Sequence, residues 1–110
     1  MALPHAQSCE VVSLRPLGPR LHDTPTSALI KAGQLEVIRV VLPAGKEQHQ
    51  HDAPGEVTLL CLEGEVLFQA GAQSHPLREG DFLHLVPRIP HVLRALQDAS
   101  LLVTICLVPG

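Results

Sequence analysis

The sequence predicts an all-β fold, and three features of it carry that expectation. Ten prolines and eight glycines divide its 110 residues into short apolar runs. Most of these runs are rich in Val, Leu and Ile and are bounded by Gly, Pro or Asp, the pattern of strands. No window carries an i, i+3, i+4, i+7 apolar stripe long enough for a helix.

The runs are Glu10–Leu14, Ser27–Lys31, Leu35–Leu42, Val57–Glu63, Glu65–Ala70, Phe82–Val86, His91–Leu96 and Leu101–Val108. Short strands at this spacing suggest a sandwich or barrel. Glu63-Gly64-Glu65 reads as a tight hairpin, Ala70-Gly71-Ala72-Gln73 as the next turn, and Gly80-Asp81 as the start of a strand. Residues 1–25 hold Pro4, Pro16, Pro19 and Pro25 and read as an irregular arm with one possible strand, leaving residues 26–110 as a single β domain. Leu35–Leu42 and Leu101–Val108 are apolar on both faces, so each needs a second layer over it. A second subunit supplies that layer in a homodimer; the arm is the alternative cover.

Composition narrows the function. Net charge is -3 and the eight Lys and Arg are scattered, whereas phosphate binding needs clustered cations, so nucleic acid is not expected as a partner. With two Phe and no Trp or Tyr, a stacking platform for bases is not expected either. There is no apolar run of membrane-spanning length and no basic region leading into an apolar one at the start, so the expected location is the cytoplasm, with no membrane partner. Three widely spaced cysteines, with no C-x-x-C pair, argue against a disulfide framework or zinc ribbon.

Seven histidines are many for this length. In extended chain, residues i and i+2 share a face, so His49 and His51 are expected to project together. Imidazole pairs at this spacing suit a divalent metal. His91 follows the Pro-rich bend Val86-Pro87-Arg88-Ile89-Pro90 and opens an apolar strand, so it is expected to point inward.

Together these stretches resemble the two motifs of the cupin superfamily. Gly45, His49-Gln50-His51, Glu56 and Gly64 are similar to the first motif. Gly80, the Pro-rich bend, and His91 eleven residues after Gly80 are similar to the second. The resemblance covers about residues 27–108. It implies a double-stranded β-helix, a jelly-roll-like barrel, with His49, His51 and His91 holding a divalent transition metal such as Zn, Ni, Fe or Mn. Glu56 would be a fourth ligand or a catalytic acid–base. The sequence departs from the motifs at three positions. Val57 stands where the ligating Glu is usual, which puts Glu56 on the opposite face unless a bulge intervenes. Arg88 replaces the second-motif Gly, and Ala95 an Asn.

Three functions follow from this pattern. One is a metal-dependent oxygenase or isomerase of a small organic molecule, since three imidazoles leave room for water and substrate. The second is a non-catalytic module that binds or senses a small molecule or metal. The third is a degenerate cupin that chiefly dimerises. The expected pocket lining is Val57, Leu59, Cys61, Phe82 and Ile105. His84 is expected on an outer or interface face, Arg39 paired with an acidic residue, and Cys61 buried as a small hydrophobe.

Overall fold

The protein is described by a computed structural model covering residues 5–50 and 53–109. Nine strands form two antiparallel sheets: β1 (Ser27–Lys31), β2 (Leu35–Leu42), β3 (Glu47–Gln50), β4 (Val57–Glu63), β5 (Glu65–Ala70), β6 (Gln73–Arg78), β7 (Phe82–Leu85), β8 (His91–Ala95) and β9 (Ala99–Cys106). One sheet has the order β1-β2-β9-β4-β7 and the other β3-β8-β5-β6. The crossovers between the sheets are those of a jelly roll, so the expected fold class is observed.

Alternation decides what each strand buries. Val57, Leu59 and Cys61 of β4 face Leu101 and Val103 of β9 and the inner residues of the other sheet, Val66, Phe68 and Leu93. These side chains are 0–4% exposed and form one core. At roughly 25 cal/mol per Å² of apolar surface removed from water, each fully buried Leu contributes about 2 kcal/mol. Gly64 makes the β4–β5 hairpin possible: its φ is +77°, and a Cβ there would collide with the Asp98 backbone carbonyl.

One expected strand is absent. Glu10–Leu14 is coil, with Val11 97% exposed, because no strand among the described residues pairs with it. Within the arm, Gly18–Asp23 forms a 3-10 helix that sinks Leu21 against the sheet. Two unexpected strands, β3 and β6, are the edges of the four-stranded sheet. Both are polar, and β6 contains Pro76, which an edge strand tolerates because it needs no ladder hydrogen bond on its free side.

The arm is tied down by a buried polar cluster on the outer face of the larger sheet. The Glu63 carboxylate accepts hydrogen bonds from the Leu17 and Gly18 amides at 2.9 and 3.1 Å and from the Ser100 hydroxyl. Arg39 lies 3.2 Å from Glu63, as expected of its acidic partner, and also donates to the Arg15 carbonyl at 2.7 Å. Both layers foreseen for β2 thus exist in one chain: core on one side, and the arm over Arg39 and Val41 on the other. A second tie joins His22 to Asp98 at 2.7 Å.

Candidate functional site

His91 opens β8 directly after the Pro-rich bend and points inward, 4% exposed. Its Nδ1 lies 3.1 Å from the Ile89 carbonyl oxygen. A carbonyl only accepts, so Nδ1 carries the proton in the neutral ring and Nε2 carries the lone pair. That Nε2 is buried and has no hydrogen-bond partner among the described residues. The ring sits against Phe68, with centroids 5.6 Å apart. A buried, unpaired acceptor of this kind is rare in folded proteins.

The described residues do not gather the other expected ligands around it. In the β3–β8 ladder, Gln48 stands opposite Leu93 and Gln50 opposite His91, while His49 stands opposite Val92. Directly paired residues share a face, so β3 turns Gln48 to the inner face and His49 to the outer one. The His49 side chain is 66% exposed, with its Nε2 3.2 Å from Glu47. His51 lies outside the described residues. Among the described residues, no three His, Cys, Asp or Glu side chains are grouped to hold a metal. Among the described residues, His91 is the one expected ligand that faces inward.

Glu56 follows the strand's phase. Val57 is buried, so Glu56 faces away from the core, with its side chain 65% exposed. Its Oε1 lies 2.7 Å from Nε2 of His84 on β7. The two meet because Thr58 pairs with His84 in the β4–β7 ladder, which places Glu56, two residues before Thr58, diagonally across from His84. Glu56, expected as a fourth ligand or catalytic acid–base, lies on the face opposite the ligand position, and His84 faces outward as expected.

The open space lies elsewhere than expected. A cavity of about 610 Å³ opens between the sheets at the β6 and β7 edges. Phe68, Leu83, Leu85 and Ile89 give it an apolar wall, and His75, His84 and Gln73 are its polar groups. Among the described residues, no Lys, Arg, Asp or Glu lines it. His75 lies over Phe68, nearly parallel to it, at 6.4 Å. Of the five lining residues expected from sequence, Val57, Leu59, Cys61 and Ile105 belong to the core instead. Phe82 is a correction of phase: it is 64% exposed on the outer face, because Leu83 and Leu85 take the inner positions opposite Leu59 and Val57. Burial pushes the Cys61 thiol up to about 11, against the lowering effect of the Glu63 backbone, so it is an inert core residue.

Comparison with known proteins accords with the fold. No curated protein matches the chain. Among solved structures, a conserved protein of unknown function from Streptococcus pyogenes superposes with a TM-score of 0.75 at 19% identity, covering 100% of this chain and 96% of that one. A cupin superfamily protein from Desulfitobacterium hafniense DCB-2 gives 0.71 at 17% identity, covering 74% of this chain and 75% of that one. The Fe(II) enzyme HppE in complex with substrate gives 0.65 at 20% identity, covering 73% of this chain and 52% of that one. At these identities the likeness is one of fold. The sequence profile of the cupin domain matches residues 37–108, most of the chain, from within β2 through β9, and on that match the chain belongs to the cupin family.

Proposed function

We propose that this cupin binds a small, uncharged, largely apolar organic molecule in the cavity between its sheets. The observation that carries the reading is the cavity itself. Its volume of about 610 Å³ falls within the roughly 300–1,000 Å³ usual for small-molecule sites, and its wall is apolar with a few polar groups. Indole is a suitable probe, being flat, neutral and apolar with one N–H. In saturation-transfer NMR, indole should receive magnetisation from the wild type and lose most of it in Ala70→Trp, which fills the cavity. Equal transfer in both proteins would end the reading.

A second reading is favoured by one observation, the unpartnered Nε2 of His91. In it, His49, His51 and His91 hold a divalent transition metal, as in a metal-dependent oxygenase or isomerase. It requires β3 to pair one residue out of its present register, which would carry His49 to the inner face. Metal content of untagged protein tests it. About one ion per chain, lost in His49→Ala and in His91→Ala, is the supporting result. Protein that holds no metal, and takes up none from Zn2+, Ni2+, Fe2+ or Mn2+, would end it.

The partner we propose is a second copy of the chain. The part of the outer sheet face that the arm leaves open carries Phe82, 64% exposed, and Leu35, 38% exposed. Sedimentation should show a dimer that Phe82→Asp dissociates. A monomeric wild type would dismiss it.

A further inference from the structure

We infer that two copies of the chain join edge to edge through β7, so that the larger sheet of one continues antiparallel into that of the other, with the partner's strand at the mouth of the cavity. This rests on the dimer proposed above and says where its contact lies.

Three observations converge. The first is the hydrogen-bonding phase of β7. The Cys61 amide donates to the Asp81 carbonyl at 2.9 Å, and the Cys106 amide donates to the Glu56 carbonyl at 2.9 Å. Leu60 stands opposite Phe82 in the same register. The two sides of an antiparallel strand alternate, so odd residues of β4 bond to β7 and even ones to β9. In β7 this commits Leu83 and Leu85 to β4. Phe82 and His84 turn their backbone N–H and C=O groups the other way, to an edge with which no strand pairs among the described residues.

The second is that this edge is unguarded. Sheet edges commonly carry charges, a proline or a covering segment, which keep other chains from adding to them. The β3 edge has Glu47, and the β6 edge has Pro76 and Arg78. On β1 the Leu29 carbonyl accepts from the Ala6 amide at 2.7 Å, and Lys31 ends the strand. β7 has no Lys, Arg, Asp, Glu or Pro, and its Phe82 is 64% exposed.

The third selects a second copy as the occupant. The charges flanking β7 differ in sign at its two ends. Glu79 and Asp81 stand before it and Arg88 after it, all exposed, while Arg78 is turned to Glu65 at 3.4 Å. Antiparallel pairing of two β7 strands sets the acidic end of each beside the basic end of the other; parallel pairing would set like against like. A two-fold axis at Leu83 brings Phe82 opposite the partner's His84, and His84 opposite the partner's Phe82. Each of these residues then gives one backbone hydrogen bond and takes one. Leu83 and Leu85 line the cavity, which opens at this edge, so the partner's β7 borders its mouth.

The test is amide hydrogen exchange by NMR on the wild type, at concentrations below and above those at which sedimentation shows the dimer. The Phe82 and His84 amides should exchange freely in the monomer and about tenfold more slowly, or slower still, in the dimer. Those of Leu83 and Leu85 should stay protected in both. Two variants at one position isolate the backbone donor. His84→Pro removes the outward N–H, which β4 does not use, and should weaken association about tenfold or more. His84→Ala keeps that N–H and should remain a dimer. Leu35→Asp, on β2 and away from this edge, should remain one too. A dimer whose Phe82 and His84 amides exchange at the monomer's rate would overturn the β7 contact and leave the dimer standing. So would a dimer that Leu35→Asp dissociates and His84→Pro does not. If His84→Pro fails to fold, the wild-type exchange decides. Protein that stays monomeric at every concentration would remove the dimer and this inference with it.

Discussion

Replacing Glu63 by Ala should unlock the N-terminal arm. The Glu63 side chain is 12% exposed and is the common acceptor for the Leu17 and Gly18 amides, the Ser100 hydroxyl and the Arg39 guanidinium. Removing it leaves Arg39, 7% exposed, without its counter-charge, and Ser100, fully buried, without its acceptor. Breaking a buried pair from one side costs about 3–5 kcal/mol. At about 2 cal/mol/K of unfolding entropy per residue over this chain, that lowers Tm by roughly 12 °C or more. Arg39→Met in the same chain should recover part of the loss, because it removes the stranded charge. Burial alone would raise the Glu63 pKa, but the hydrogen bonds from Leu17, Ser100 and Gly18 and the charge of Arg39 outweigh it, and the carboxyl lies below its ordinary 4.5. A depressed carboxylate stabilises the folded state in full above its unfolded value. That stabilisation fades as pH falls below about 4.5 toward the folded value. Thermal melts from pH 7 to pH 3 should therefore show the gap between wild type and Glu63→Ala narrowing only in the acid range. A loss under about 1 kcal/mol at pH 7, the size of a surface ion pair, would refute the reasoning.

The other expectations concern single positions. Gly64→Ala drives a Cβ into the Asp98 carbonyl oxygen at a φ of +77°, so its Tm should fall by roughly 8 °C or more in calorimetry; a change within about 2 °C would contradict the hairpin geometry. Arg88 has a φ of +63°, a conformation glycine adopts without cost, so Arg88→Gly should raise stability by up to about 1 kcal/mol in urea titration; clear destabilisation would contradict it. Cys61, buried and with its thiol raised to about 11, should resist a thiol reagent at pH 8 while exposed Cys9 reacts at once; equal labelling rates would show the core to be open.

The strands with apolar alternation were legible in the sequence because burial leaves a period of two in the residues. β4 and β5 have the expected bounds for that reason, and β1 and β2 because Pro and Gly bound their apolar runs. β3 and β6 were not, because an edge strand such as Gln73–Arg78 buries only Leu77 and so leaves no periodic trace. Phe82 misled because a four-residue strand gives either phase two votes; pairing Leu83 with Leu59 and Leu85 with Val57 would have settled it. His91 was legible from its bend and strand. The second-motif position held by Arg88 also makes sense, since its backbone takes the left-handed conformation that glycine favours. The cavity was not legible, because its wall comes from strands separated in sequence and from the bend before β8. The face that His49 takes depends on the β3–β8 register, and a polar strand carries no apolar pattern to declare its register.

The most direct test of the central claim is a crystal structure of the protein grown with saturating indole. The account predicts indole density between the sheets, against Phe68, Leu83 and Ile89, with the ring N–H near a polar group of the wall. Indole on the outer sheet face, or a β6–β7 opening closed over by its own side chains, would contradict it.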